Sequence, residues 1–195
     1  MDDMYRDGTY KELNPTWGEG DAPWKARQVQ GILTDNEVSF TTVAEVGCGS
    51  GEILVQLSGA FPDADFSGYD ISPHAIKIAA RRARPRVQFH LKDLLQDPDA
   101  DFDVVLIADV IEHVADYIGF AKGVQRLGRW KVFHIPLDIS VQSVIRMWPI
   151  LNLRKDVGHI HYFTMDTAIA LLRDCGYKII DWRYTASRLE LPDQP

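Results

Sequence analysis

Three groups of side chains have types and spacing suited to chemistry. The first is Glu45-Val46-Gly47-Cys48-Gly49-Ser50-Gly51, an acid followed by three glycines at alternate positions. Glycines so placed let the backbone take angles closed to other residues, and no Cβ blocks a ligand's approach to the peptide planes. The second is Asp70, 19 residues past Gly51 and at the end of Phe66-Ser67-Gly68-Tyr69. An acid at the end of a second strand accepts hydrogen bonds from ribose hydroxyls. The third is Asp109-Val110-Ile111-Glu112-His113-Val114, followed much later by His159 and His161. An imidazole titrating near neutrality can take a proton from an acceptor hydroxyl.

The spacing of the glycines discriminates between ligands. A dinucleotide fingerprint needs its third glycine three residues after the second, which is position 52, and position 52 is Glu. A phosphate loop needs Gly-Lys-Ser or Gly-Lys-Thr, and the sequence has neither.

The elements around these groups alternate. Val43–Val46 reads as a strand, and Glu52-Ile53-Leu54-Val55-Gln56-Leu57 resumes with helical periodicity. Ser72 and Pro73 are suited to cap and open a helix directly after Asp70. Val87–Leu91 alternates as a third strand, and Asp103–Ala108 is the continuous apolar run of a central parallel strand. Lys131–Leu137 reads as a fifth strand, Thr164 to Gly176 as a capped helix, Tyr177–Tyr184 as a sixth strand and Arg188–Leu191 as a short seventh. The expected fold is α/β, a doubly wound, Rossmann-like, mostly parallel sheet of six to seven strands with helices on both faces. Ligands of such sheets bind beyond the carboxyl ends of the strands, which brings Ile71, Ala108 and Asp109 toward the ligand.

The ordered series of strand-end motifs over roughly residues 40 to 184 resembles the class I S-adenosylmethionine-dependent methyltransferases. The Asp-Val-Ile-Glu-His-Val and Gly-His-x-His-x-Phe-Thr stretches are similar to the small-molecule branch that includes the ubiquinone-biosynthesis O-methyltransferases. The resemblance implies S-adenosyl-L-methionine as cofactor and S-adenosyl-L-homocysteine as product. It implies that Glu45, Gly47, Cys48, Gly49, Gly51, Asp70 and Ile71 hold the cofactor. Asp93 would then accept from the adenine amino group, Leu94 would flank the ring, and Ala108 and Asp109 would face the methyl donor. No Asn-Pro-Pro-Tyr or Asp-Pro-Pro-Tyr follows the fourth strand, so base and glutamine amide methylation lose support.

With 195 residues, 46% of them hydrophobic, the chain suits one domain spanning residues 1–195. Residues 1–36 read as an aromatic flap and helix. Trp17 would close over the cofactor, as N-terminal segments do in many methyltransferases, or the indoles simply pack on the domain surface. Residues 138–157 read as an apolar insertion over the acceptor pocket, or as a thickening of the core. The net charge of −7 offers no attraction to nucleic acid. The cluster Arg81-Arg82-Ala83-Arg84-Pro85-Arg86 reads as a solvated helix end. The two cysteines, Cys48 and Cys175, suggest free thiols in a reducing compartment. No leader or membrane-spanning run is visible, so a cytoplasmic protein without membrane insertion is expected. The expected partner is a small-molecule acceptor.

For catalysis His113 is the first choice of base, with His159 or His161 second, either of these two also readable as a hydrogen-bonded structural histidine. Asp109 and Glu112 also fit an Asp-x-x-Glu capping box. The first reading takes no metal ion. A second takes Asp109, Glu112 and His113 as ligands on one helix face, completed by His159 or His161, similar to metal-dependent RNA 2′-O-methyltransferases. A third is a subunit that binds the cofactor without catalysis.

Overall fold

The structure, a computed structural model, describes Tyr5, residues 8–17 and residues 19–185. After α1 (Thr9–Leu13) and α2 (Ala22–Asp35), strand and helix alternate. The series runs β1 (Thr42–Val46), α3 (Glu52–Ala60), β2 (Asp65–Asp70), α4 (Pro73–Ala79), β3 (Val87–Leu91), β4 (Phe102–Ala108), α5 (Tyr117–Val124) and β5 (Gly128–His134). Then α6 (Val141–Arg146), α7 (Trp148–Asp156) and α8 (Met165–Asp174) follow without an intervening strand. The five strands form one sheet in the order β3-β2-β1-β4-β5, with every ladder parallel.

Strand geometry sends successive side chains to opposite faces. In β4, Val104 and Leu106 pack with Val43 and Phe66 against Ala26, Val29 and Leu33 of α2 and Leu54 and Leu57 of α3. Val105 and Ile107 face the other way, toward Ala44, Val46, Leu94, Val124 and Leu127. Both faces of the central strands are thus covered, which accounts for their unbroken apolar run. Register aligns the carboxyl ends: Val46 pairs with Tyr69 and Ile107, and Ala108 with His134. Every group singled out for chemistry except Trp17, Asp93, Leu94 and the late histidines therefore stands at or just past the carboxyl ends of β1, β2 and β4.

The sheet has five strands among the described residues, in place of the six to seven expected. Residues 177–185 form no ladder. Instead, side chains pin them: Tyr177 Oη donates to the Ala121 carbonyl at 2.7 Å, Asn36 Nδ2 donates to Asp181 Oδ2 at 2.8 Å, and Arg183 pairs with Asp35 at 2.9 Å. The alternation read there as a strand leaves Ile180, Trp182 and Tyr184 exposed. The short strand expected at Arg188–Leu191 lies outside the described residues.

Local signals at helix ends match. Ser72 accepts the Ala75 amide, Pro73 opens α4, Thr164 and Thr167 cap α8 reciprocally, and Gly176 follows it at φ +91°. The arginine cluster follows the end of α4 with Arg81, Arg84 and Arg86 exposed, as a solvated helix end would be, but Arg82 does more. Arg82 bridges Glu52 at 2.9 Å and Glu19 at 2.6 Å, tying the N-terminal segment to the start of α3, and Arg86 Nη1 reaches the Asp63 carbonyl at 2.5 Å.

Candidate functional site

The glycine turn follows β1. Gly47, Gly49 and Gly51 have φ of +71°, +52° and +77°, the left-handed region that side chains strain. A Cβ at Gly51 would stand 2.4 Å from the Phe89 ring, and one at Gly47 2.7 Å from Val110. Asp70 organises the turn from the next strand: Oδ2 accepts the Gly49 amide at 2.9 Å and Oδ1 the Ser72 amide at 2.8 Å. Burial raises the pKa of Asp70, opposed by those backbone donors. Glu45, at the end of β1, is 1% exposed, and its Oε2 has no hydrogen-bond partner among the described residues. Burial, then the nearby charges of Asp70 and Asp109, push its carboxyl well above the usual range, against the pull of Lys25.

The N-terminal segment lies over this turn. The Trp17 carbonyl is 3.4 Å from where a Gly49 Cβ would be. Ring contacts continue from Trp17 to Tyr10 (centroids 4.8 Å apart), to Tyr5 (4.9 Å) and to His113 (5.8 Å). Tyr10 is pushed up to about 12 by burial and by the surrounding acids Glu112, Asp109 and Asp70, against the pull of Lys25.

Past β4 the chain does not enter a helix. Asp109 sits at φ +53°, a short 3-10 turn covers Ile111–His113, and α5 begins only at Tyr117, capped by Asp116. Neither the capping box nor the shared helix face for Asp109, Glu112 and His113 is present. Asp109 turns away, its Oδ1 2.6 Å from His134 Nδ1 and its Oδ2 on the Lys25 ammonium. Burial works against its charge, yet His134 and Lys25 hold it well below the usual carboxylate range.

Glu112 points into the protein and is fully buried, with neither carboxylate oxygen hydrogen-bonded among the described residues. Its carbonyl accepts the amides of Ile160 at 2.9 Å and His161 at 3.1 Å, and this clamp delivers His159 to the site. His113 and His159 meet edge to face, centroids 4.9 Å apart. His113 Nδ1 lies 3.2 Å from the Gly158 carbonyl, and His159 Nδ1 lies 2.7 Å from Asp138 Oδ2. Burial, reinforced by His159, lowers His113 to about 4, so its ring is neutral at neutral pH. His161 is elsewhere, its ring tilted against Tyr117 with centroids 4.2 Å apart and its Nε2 3.0 Å from the Val114 carbonyl.

The remaining expected positions are Asp93 and Leu94 after β3 and the apolar insertion after β5. Asp93 caps a 3-10 turn, its Oδ1 accepting the Leu95 amide at 3.0 Å, and Leu94 is a core residue at 1% exposure. The insertion forms α6 and α7, but Val141, Ile145, Trp148 and Leu151 face outward, Trp148 at 58% exposure. A cavity of about 1380 Å³ lies between α2, β5 and residues 177–185, walled by Trp24, Ile32, Trp130 and Val132, lined also by Leu153 and Val157 of the insertion, and reaching Asp109, His134 and His159.

Lys25, His134, Asp138 and Tyr10 were not singled out from the sequence. His134 ends β5 beside Ala108, so the strand-end rule that picks out Asp109 applies to it equally. Asp138 and Lys25 carry no such signal, because their partners lie 21 and 84 residues away.

The profile of the methyltransferase-domain family matches residues 25–181. A trans-aconitate 2-methyltransferase of Mycobacterium sp. (strain KMS) is 30% identical over 157 residues, covering 73% of this chain and 60% of that protein. This chain thus spans less than two thirds of that relative's length. Among solved structures, the plantazolicin methyltransferase BpumL in complex with SAH superposes with a TM-score of 0.68 at 17% identity, over 85% of this chain and 69% of the other. The magnesium protoporphyrin IX methyltransferase (ChlM) from Synechocystis PCC 6803 with bound SAH does so with a TM-score of 0.66 at 20% identity, over 85% and 78%. The chain therefore belongs to the methyltransferase-domain family and has the parallel α/β fold of the class I S-adenosylmethionine-dependent methyltransferases.

Proposed function

We propose that this protein transfers the methyl group of S-adenosylmethionine to a hydroxyl oxygen of a small, partly apolar molecule by in-line displacement. The residues at the strand ends fit that cofactor. The three glycines form a cradle that a Cβ would fill, Asp70 keeps lone pairs beyond its two backbone bonds, and Glu45 Oε2 and Trp17 Nε1 are buried without hydrogen-bond partners among the described residues. Glu45, Asp70 and Glu112 set three buried carboxyls around one end of the sheet, and a cationic ligand there favours their ionised forms. When bound, the cofactor supplies a methyl group on a positively charged sulfur that is already a good leaving group.

The chain's own task is then alignment, and holding the acceptor in line supplies most of the acceleration. The observation that carries the reading is the convergence of His113 and His159 on buried Glu112, just past the end of β4. The hydroxyl proton leaves at this cluster, where His113 Nε2 presents its lone pair because Nδ1 is held by the Gly158 carbonyl. The acceptor lies in the apolar cavity beside β5, whose polar end includes Lys25, Asp109, His134 and His159. The acceptors in the relatives' names, trans-aconitate and magnesium protoporphyrin IX, support a small molecule over a polymer.

A screen of small hydroxylated compounds with isotopically labelled donor tests this, with product mass locating the methyl group. Labelled product with an oxygen-bound methyl is expected. Methyl found on nitrogen or carbon alone, or a protein that binds no S-adenosylhomocysteine by calorimetry, would overturn it.

A further inference from the structure

We infer that Glu112, His113 and His159 form a binding site for one divalent cation of borderline softness, of the Zn²⁺ or Co²⁺ kind. Each imidazole has its Nδ1 engaged by an acceptor: the Gly158 carbonyl for His113 and Asp138 for His159. Both Nδ1 atoms are thus committed to acceptors, and the lone pair each ring has to offer a cation is on Nε2. Those lone pairs face Glu112 Oε1, from 3.6 Å for His113 and 3.9 Å for His159. Both separations are too long for hydrogen bonds.

The carboxylate has no other hydrogen-bond partner among the described residues, although it is fully buried. Three electron-pair donors thus converge within 4.8 Å of one another around a gap. Leaving them unpaired costs each group its lost hydration, and a positive species in the gap removes that cost. In a tetrahedral site with bonds of about 2.1 Å, ligand atoms stand roughly 3.4 Å apart, so the cluster is within small side-chain shifts of closing on a cation. Two neutral nitrogens and one carboxylate leave positions open for water or a substrate oxygen. Asp138 and the Gly158 carbonyl fix ring orientation and tautomer, as outer groups do in metal sites. Asp109 is outside the set because its oxygens are taken by His134 and Lys25.

What the cation would do rests on the methyltransferase reading: it would polarise a bound acceptor hydroxyl so that its proton passes to solvent water, and His113 Nε2 would then hold the cation where, without one, it takes the proton itself. Cation binding itself is measured independently. The full chain, stripped with a chelator, is titrated with Co²⁺ by visible absorption and with Zn²⁺ by competition, beside Glu112→Gln, His159→Ala and Asp138→Asn, and S-adenosylhomocysteine binding is measured calorimetrically in each. The expected result is one cation per chain, with affinity falling at least about 100-fold in Glu112→Gln and His159→Ala and about 10- to 100-fold in Asp138→Asn, while cofactor-product affinity holds. No saturable uptake by the unmodified chain, or equal uptake in Glu112→Gln and His159→Ala, overturns the site. Should Glu112→Gln fail to fold, His159→Ala decides. Failure of S-adenosylhomocysteine binding in the unmodified chain counts against the methyltransferase reading and leaves the cation titration standing.

Discussion

The Ile160 amide donates to the Glu112 carbonyl at 2.9 Å, and through this contact the loop after α7 is fixed to the turn after β4. The two histidines two residues apart in that loop consequently have different fates. His159 faces Glu112, whereas His161 binds the Val114 carbonyl and Tyr117. His113→Ala should lower turnover by about 10²- to 10⁴-fold with S-adenosylhomocysteine affinity nearly intact. His161→Ala should leave turnover within a few-fold and cost roughly 1 kcal/mol of stability through its lost hydrogen bond. Steady-state kinetics on both variants decide, and equal losses of turnover would remove His113 from its assigned place.

Asp70 joins the second strand to the glycine turn, so its removal acts on ligand and turn together. Asp70→Ala should weaken S-adenosylhomocysteine binding by about 10- to 100-fold, the range for one or two hydrogen bonds to a charged acceptor. Gly51→Ala meets both a φ of +77° and a ring atom at 2.4 Å. Left-handed strain and overpacking together should cost roughly 2–4 kcal/mol, read by denaturant unfolding. Wild-type stability and affinity in both proteins would show that the turn tolerates what its geometry forbids.

How far the sequence discloses this molecule follows from the range of its interactions. The glycine turn, Asp70, the covered central strand and the caps of α4 and α8 depend on neighbours in sequence or on strand order, and all are legible. The cluster is only half legible. Glu112 and His113 advertise themselves by type, but the separation of Asp109 from them comes from a left-handed backbone at Asp109 and from Lys25 and His134, none of which sequence spacing encodes. The apolar residues of 138–157 have the right composition for a pocket wall, yet composition carries no direction: Leu153 and Val157 line the cavity while α6 and α7 turn Val141, Ile145 and Trp148 outward. Tyr177–Tyr184 alternates like a strand, but a strand needs a partner, and the end of α2 supplies side-chain contacts instead.

The raised carboxyls give a pH signature. Burial holds Glu45 and Glu112 protonated above the ordinary carboxylate range. A sulfonium favours their ionised forms, so its binding releases protons and strengthens as pH rises through those raised values. S-adenosylhomocysteine lacks the charge and gains less. The ratio of S-adenosylmethionine to S-adenosylhomocysteine affinity should therefore increase from pH 5.5 to pH 8 by calorimetry. A ratio that falls over this interval would place the carboxyls away from the sulfur.

Lys25 links α2 to the end of β4 through Asp109 and also pairs with Asp21 at 2.9 Å, with its side chain only 13% exposed. Removing one partner of a largely buried pair leaves the other charge uncompensated, which costs about 3 kcal/mol or more. Lys25→Met should therefore lower the melting temperature by about 10 °C, given the few degrees per kcal/mol expected at this chain length. The sign of the pH effect follows from Asp109, whose pKa is lowered in the folded state. Its contribution is fully present above the unfolded value near 4 and is lost as pH falls through the still lower folded value. The difference in stability between wild type and Lys25→Met should thus be largest near neutrality and shrink under acid conditions, measured by urea unfolding at pH 7 and pH 3.5. A constant difference across that interval would show that Lys25 acts through the packing of its methylene stem and not through its charge on Asp109.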